Sequence, residues 1–547
     1  MLKLKTVEWS YSVGEEHFTV STLHDVATPY ATLRIRTQGD VFTASVRAKA
    51  PIVMGSLKAV FEKDYPKDCR IFLNGYQSWT DSTEHGIHDT MRGLSAVPRN
   101  ISEKYAFPQY GDYTFARYQP LRRGAMHGFT YGYVREETVF SFAGSLGERS
   151  GFTCLYTDTQ DGTLTFEKDC KGLTVEDEFE GLHLLLCEGA EQVVFDRYFS
   201  MLGVRLREEA KPLYGYTSWY RHYQNISEET LLHDLDAMRS AGHKPDVFQI
   251  DDGYQTAVGD WLHIDHTKFQ DMGTIAAKIR EAGMLPGLWL APFAAEADSE
   301  LCLMHRDWLV RDENGELLRG GSNWSGFYVL DLYNEQVRSY LKEVFDTVIR
   351  QWGFGLVKLD FLYAVCIRPR PDKTRGRIMA DAMDFLRECC GDAFILGCGV
   401  PLGSAFGKVD YCRIGCDVSL DWNDKPHMRL MHRERVSTKN TILNTVFRRQ
   451  LTGRAFLNDP DVFLLRSDGN AMTPEQRRTL GEINALCGDV LFTSDDLSGY
   501  DEEQRKLLDR MHRMRDSRIL TADLTGSTLT LEVDYHGKYI LRAYEMS

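Results

Sequence analysis

The feature that most constrains this chain begins near residue 210, where eight short apolar runs alternate with amphipathic helical segments. The runs are Leu213–Tyr220, Val247–Asp252, Leu285–Phe293, Leu356–Phe361, Phe394–Cys398, Tyr411–Asp417, Arg454–Asp459 and Val490–Phe492. Strand-length apolar segments separated by helices are the sequence form of βαβ units, whose strands pair in parallel and are buried on both faces. Eight such units predict a closed (β/α)8 TIM barrel. The helices carry their own signals: Ser227 caps a first turn made acidic by Glu228 and Glu229, Leu231, Leu235 and Met238 share one face, and Gly242 ends it. Val337, Leu341, Val344 and Val348 repeat that pattern before Gly353.

The first two hundred residues read differently. Phe18–Leu23, Ala31–Arg36 and Gly162–Glu167 alternate apolar and polar residues with a period of two, which predicts half-buried antiparallel strands and an N-terminal β-sandwich. Alternation returns from Ile519 to Met546, after a last barrel helix around Glu502–Met514, and predicts a small C-terminal antiparallel β element. At 547 residues the chain exceeds what one core organises. The expected domains are a sandwich over residues 1–207, a catalytic barrel over 208–517 and the β element over 518–547, with the first boundary near Arg207 to Pro212.

Charge excludes several partners. The formal net charge is −15, without a basic patch, so neither nucleic acid nor an anionic membrane surface is an expected partner. No stretch reaches the roughly twenty apolar residues of a membrane span, and the first residues show no apolar run before a cleavage site. A cytoplasmic location is expected. The 12 cysteines lack the spacing of a secreted disulfide scaffold and are read as free thiols. Aromatic residues are 12% of the chain, enough to suggest stacking surfaces.

In a β/α barrel, polar residues at the C-terminal strand ends face the active site. Here those ends are acidic. The second strand ends in Asp251 and Asp252, the fourth in Asp360, the sixth in Asp417, and the seventh in Asp459 and Asp461. Trp219, Tyr220, Trp261 and Trp289 accompany them. Carboxylates gathered at one barrel mouth serve structural ion pairing, metal binding, proton abstraction or glycoside hydrolysis. His263, Asp265 and His266 form only a scattered ligand set, so no metal is expected. Phosphate-cradling glycine loops are missing, so no nucleotide cofactor is expected either. Carboxylates beside tryptophans suit sugars, whose apolar faces stack on rings while their hydroxyls donate to carboxylates.

The segments Asn74–Trp79, Tyr216–Tyr220, Ile250–Gln255, Gly259–Trp261, Val357–Asp360, Gly397–Pro401, Arg413–Asp417 and Asn458–Asp461 together resemble glycoside hydrolase family 36, the α-galactosidases or melibiases, in its compact branch. The resemblance runs through nearly the whole chain. It implies a retaining, exo-acting enzyme that takes small oligosaccharides as a monomer or small homo-oligomer, with Asp360 as nucleophile and Asp417 as general acid/base. It also implies that Asp251 and Asp252 bind the 4- and 6-hydroxyls of a terminal galactose, that Trp289 lies against the sugar, that Cys398 sits near the 2-hydroxyl, and that Trp79 reaches over from the sandwich. Lys358, two residues before Asp360, is expected to point inward with it and keep it ionised. Arg413 is expected to hold a carboxylate or hydroxyl by its fork, and Trp219 and Tyr220 complete the expected substrate contacts.

Other readings stand beside these. On spacing alone, Asp360 with Lys358 and Asp417 with Arg413 serve equally well as structural ion pairs. Asp459 and Asp461 flank Pro460 and are read as turn-forming, outside the site. Trp324 is read as loop packing, and Cys398 as a small packing group rather than a reactive thiol. Within the family, α-N-acetylgalactosaminide hydrolysis remains an alternative, because small Gly399 leaves the space at the 2-position open, and so does galactosyl transfer to a sugar acceptor, which depends on subsites beyond the first sugar.

Overall fold

The computed structural model describes residues 2–240 and 242–547. Its centre is a parallel barrel of strands Leu213–Thr217, Val247–Ile250, Leu285–Leu290, Leu356–Leu359, Phe394–Gly397, Tyr411–Arg413, Leu457–Asp459 with Val462–Phe463, and Val490–Thr493. Every residue of Val247–Ile250 and of Leu356–Leu359 is buried, as a strand covered on both faces requires. Each strand pairs in parallel with the next, and Val490–Thr493 returns to Leu213–Thr217. The seventh stave is split. Leu457–Asp459 pairs with the sixth strand and Val462–Phe463 with the eighth, the break falling at Pro460, which has no N–H to donate, and at Asp461 with φ 76°. Ring closure therefore runs through a kink that sits at the mouth.

The strands begin close to where the apolar runs begin, but most of them end earlier. Leu213–Tyr220 stops as a strand at Thr217, and Tyr411–Asp417 at Arg413. The residues beyond leave the ladder and become the loops that carry the polar groups. The helices follow their capping signals: Glu228–Arg239 begins at a Ser227–Thr230 capping box, and Pro474–Cys487 at a Thr473–Gln476 box with proline in its first turn.

Before the barrel, a seven-stranded and an eight-stranded antiparallel sheet face each other as a sandwich. Phe42 of one sheet meets Phe61 of the other edge-on at 5.3 Å, and Trp9 is fully buried between the sheets. After the barrel, three antiparallel strands, Arg518–Thr525, Thr528–Tyr535 and Lys538–Glu545, form a small sheet. Buried Glu482, on the helix Pro474–Cys487, accepts from Arg542 at 3.1 Å, Tyr544 at 3.1 Å and Arg510 at 3.3 Å, which fastens this sheet to the barrel. No helix among the described residues is long and apolar enough to cross a membrane.

The sandwich reaches the barrel through the loop from Asn74 to Ser82. Arg448, at the end of the helix Thr438–Phe447, is fully buried beneath it. Its guanidinium donates to Asn74 Oδ1 (3.0 Å) and to the carbonyls of Gly75 (3.3 Å), Gln77 (3.2 Å), Ser78 (2.7 Å) and Ile414 (2.8 Å). All five N–H groups of the fork are thereby used. Burial lowers the pKa of Arg448 to about 10, since carbonyl dipoles rather than a carboxylate receive it. Arg448→Met strands these acceptors in a dry junction, so it is expected to cost about 3 kcal/mol or more, seen as earlier unfolding in chemical denaturant. A variant that unfolds with the parent would contradict the clamp.

Candidate active site

The acidic strand ends converge. Trp79, Trp219, Asp251, Asp252, Trp289, Lys358, Asp360 and Asp417 line one cavity of about 270 Å³ at the C-terminal face of the barrel. It is the geometry expected when loops after parallel strands build a site on a rigid scaffold.

Asp360 stands immediately after the fourth strand and is 8% exposed. Its backbone N–H still bonds the Leu290 carbonyl at 2.8 Å, so the barrel ladder fixes its position. One carboxylate oxygen accepts from Trp289 Nε1 at 3.1 Å and the other from the Phe361 N–H at 2.8 Å. Phe361 adopts φ 53°, a left-handed conformation that turns the chain sharply after the carboxylate. Burial raises the pKa of Asp360 and Asp417 adds to this, while Lys358 pulls it down. Two carboxylates thus feel each other across the cavity.

Lys358 donates to Asp251 Oδ2 at 2.8 Å rather than to Asp360. Burial alone would lower its pKa, but Asp251 and Asp360 outweigh that and hold the ammonium charged. Asp251 is further fixed by Gln249 Nε2 at 3.1 Å, and its N–H donates to Ser218 Oγ at 2.9 Å. Asp252 receives Gln224 Nε2 at 2.8 Å, Trp324 Nε1 at 2.9 Å and Gln255 Nε2 at 2.6 Å. Burial raises its pKa while those donors oppose the rise. The inner end of the cavity is therefore a set of carboxylates already aimed by donors and still able to accept from a ligand's hydroxyls.

Asp417 differs from Asp360 in its surroundings. Its side chain is 37% exposed, and Arg413 donates to it at 2.8 Å. The same guanidinium reaches Asp461 at 3.0 Å, and Asp461 also takes the hydroxyl of Tyr220 and the N–H of Val418 at 2.8 Å. Burial, with Asp417 and Asp459 nearby, raises the pKa of Asp461 against the pull of Arg413.

The expected substrate contacts are not all brought to the cavity wall. Arg413, Tyr220 and Cys398 do not line the cavity and form a layer behind it. Arg413 and Tyr220 hold Asp417 and Asp461, and Cys398 Sγ accepts Trp79 Nε1 at 3.3 Å under the indole. Sequence position alone says nothing of depth behind the cavity wall. Trp324, read from sequence as packing, lines the cavity and donates to Asp252, and Asp461, left outside the site, is the anchor behind Asp417. Trp261 is fully buried with its ring edge toward Trp289 at 5.7 Å. The candidate metal ligands diverge: His263 turns to Glu300 at 3.4 Å, and Asp265 takes the Thr267 N–H at 3.0 Å.

Sequence reasoning missed part of the wall. Tyr110 of the sandwich, Asn323 and the segment carrying Met428, Met431, Glu434 and Val436 also face the cavity. Tryptophan content alone could have flagged Trp324, whereas residues 428–436 carry no periodic or motif signal.

The Trp79 indole comes from the sandwich loop. It packs edge-on against Phe361 at 5.1 Å and Tyr363 at 5.8 Å, while Ser78 N–H bonds the Val400 carbonyl at 2.9 Å. The cavity is thus completed by a residue from outside the barrel.

Comparison with known proteins agrees with this geometry. The family model described as Melibiase matches residues 195–382. The α-galactosidase of Thermus thermophilus, solved in complex with p-nitrophenyl α-D-galactopyranoside, is 26% identical, with a TM-score of 0.73 over 96% of this chain and 99% of that one. The family 36 α-galactosidase AgaA of Geobacillus stearothermophilus shares the fold at 14% identity, with a TM-score of 0.61 over 92% of this chain and 71% of that one. Alpha-galactosidase 1 of Pediococcus pentosaceus is 26% identical over 166 residues, 28% of this chain and 22% of that protein, so the match spans about a fifth of the curated relative. With the melibiase model matching residues 195–382 and a fold shared over nearly its full length with a 26% identical α-galactosidase, the chain is similar to the melibiases of glycoside hydrolase family 36.

Proposed function

We propose that this chain is a retaining, exo-acting α-galactosidase that removes terminal α-galactosyl residues from small oligosaccharides. The observation that carries this reading is the unequal pair of carboxylates facing one cavity. Asp360 is buried and held by two N–H donors with Lys358 nearby, which suits a fixed, ionised nucleophile. Asp417 is solvent-accessible and steered by Arg413, which suits a group that gives a proton to the leaving oxygen and later takes one from water. In a double displacement, Asp360 attacks the anomeric carbon as the glycosidic bond breaks and Asp417 protonates the departing oxygen. Water, deprotonated by Asp417, then displaces Asp360 and restores the original anomeric configuration.

The inner carboxylates support galactose as the retained sugar. Asp251 and Asp252, pre-aimed by Lys358, Gln224 and Trp324, can each accept a hydroxyl on the side away from the scissile bond. A site that hydrogen-bonds a given hydroxyl rejects an analogue lacking it, because its polar groups are left unpaired. Complexes of the Thermus enzyme with the aryl galactoside and with stachyose support the same substrate class.

Gly399, in the loop expected near the 2-position, packs too closely beneath the sandwich loop to carry a side chain. Gly399 has φ 55°, and a Cβ built there would stand 2.9 Å from the Trp79 ring and 3.0 Å from Phe361 N. The space above Gly399 is therefore already occupied, with Trp79 tied to Cys398 beside it.

The direct test is hydrolysis of p-nitrophenyl α-galactoside, α-N-acetylgalactosaminide and α-glucoside in parallel. Rapid release from the galactoside, at least about 100-fold faster than from the other two and unaffected by chelator, is the expected result. Preferential release from another sugar would overturn the substrate, and no release from any would overturn the activity. Asp417→Ala should retain far more activity on aryl galactosides with good leaving groups than on melibiose-type substrates, since an acidic phenol departs with little protonation. Equal losses on both would contradict the acid role.

A further inference from the structure

Glu434 is the one charged residue on the cavity wall that the reaction described above leaves without a part. It lies on the loop that leaves Asp417, carries Met428 and Met431 along the cavity, and returns at Ser437, whose N–H bonds the Asp417 carbonyl at 3.1 Å. The carboxyl is 4% exposed. One oxygen accepts from Thr80 Oγ1 at 2.8 Å and the other from the hydroxyl of Tyr113. A carboxylate offers about four acceptor positions, so these two donors leave acceptor capacity unused. The fit is specific: a Cβ on Gly111 would stand 2.8 Å from both Glu434 Cδ and Oε2, and only glycine leaves room for the carboxyl. Burial, reinforced by Asp112 and opposed by Arg433, pushes its pKa up to about 7.

Position says which part of a substrate Glu434 meets. Asp251, Asp252, Lys358, Trp289 and Trp324 bond or pack with one another around the inner end of the cavity, and Glu434 bonds none of them. Its loop begins and ends at Asp417, the group that faces the leaving oxygen. What lies beyond the scissile bond therefore passes along Met428, Met431 and Glu434. Methionine side chains offer an adaptable apolar surface for a sugar face, and a carboxylate between them offers the polar anchor.

We propose that Glu434 is the specificity-determining residue of a second-sugar subsite, accepting a hydrogen bond from a hydroxyl of the sugar that leaves. The proposal rests on the glycosidase reading of Asp360 and Asp417. Its test compares a substrate whose leaving group is a sugar with one whose leaving group is not. KM and kcat are measured for the parent, Glu434→Gln and Glu434→Asp on an α-galactosyl disaccharide and on p-nitrophenyl α-galactoside. Gln keeps the volume but turns one acceptor oxygen into a donor, and Asp keeps the charge but withdraws it by one methylene. The expected result for both variants is a KM on the disaccharide raised about tenfold, with kinetics on the aryl galactoside within about twofold of the parent. Equal losses on both substrates would overturn the proposal in favour of a purely structural carboxyl, and unchanged kinetics on both would overturn it as well. Where Glu434→Gln fails to fold, the Asp variant decides by the same ratio. A parent inactive on the aryl galactoside would fail the glycosidase reading itself, a result distinct from any change in the ratio between substrates.

Discussion

Buried carboxylates close together are unstable unless something answers their charge, and the mouth of this barrel is organised around answering it. Asp251, Asp252, Asp360 and Asp461 are all nearly inaccessible to water, and burial works to raise the pKa of Asp252, Asp360 and Asp461. Two cations oppose this. Lys358 sits between Asp251 and Asp360, and Arg413 bridges Asp417 and Asp461. The remaining lone pairs are met by indole, amide and hydroxyl donors, among them Trp289, Trp324, Gln224, Gln255 and Tyr220. Removing one partner would leave an uncompensated buried charge, which is far more costly than losing a surface pair. The same balance of charge separates the two carboxylates proposed to react: one is enclosed and fixed, the other is reached by solvent and steered from behind.

That organisation depends on two polypeptide regions that fold by different rules. The barrel supplies the carboxylates from the ends of parallel strands, where backbone ladders set their positions. The sandwich supplies Trp79 through a loop with no strand geometry of its own, and Arg448 replaces that geometry by receiving the loop's carbonyls on a single guanidinium. A planar fork with five donors can hold several carbonyls in one orientation, which a lysine could not. The wall proposed to face a second sugar is built at the same junction, since Glu434 of the barrel takes its hydrogen bonds from Thr80 and Tyr113 of the sandwich.

Much of the barrel was legible because its strands are buried on both faces and its helices carry capping residues. Each run from Leu213 onward gave a strand, and the helix Glu502–Met514 falls at its expected bounds. Loops were less legible, for a physical reason. Trp324 sits at φ 57° in an excursion between the third and fourth barrel strands that also forms a small sheet of Ala294–Glu296, Arg319–Gly321 and Phe327–Val329. Nothing periodic marks such a segment, so its indole was assigned to packing. Arg413 and Tyr220, expected against the substrate, stand outside the residues that line the cavity. Whether a side chain reaches the cavity or stops behind Asp417 depends on what stands in front of it. Glu434 lies in a stretch without strand or amphipathic pattern, and its place became visible only with the sandwich docked beside it.

Asp360 is proposed to form a covalent bond to the sugar while Asp417 manages protons. That assignment is tested most directly by asking whether an added nucleophile can occupy the space that Asp360 leaves. In Asp360→Ala, turnover of an activated aryl α-galactoside should fall by about 10⁴-fold or more, and azide should restore it with β-galactosyl azide as the product, because azide attacks from the vacated face. A variant that keeps its activity without azide, or a rescued product with the α configuration, would contradict the assignment.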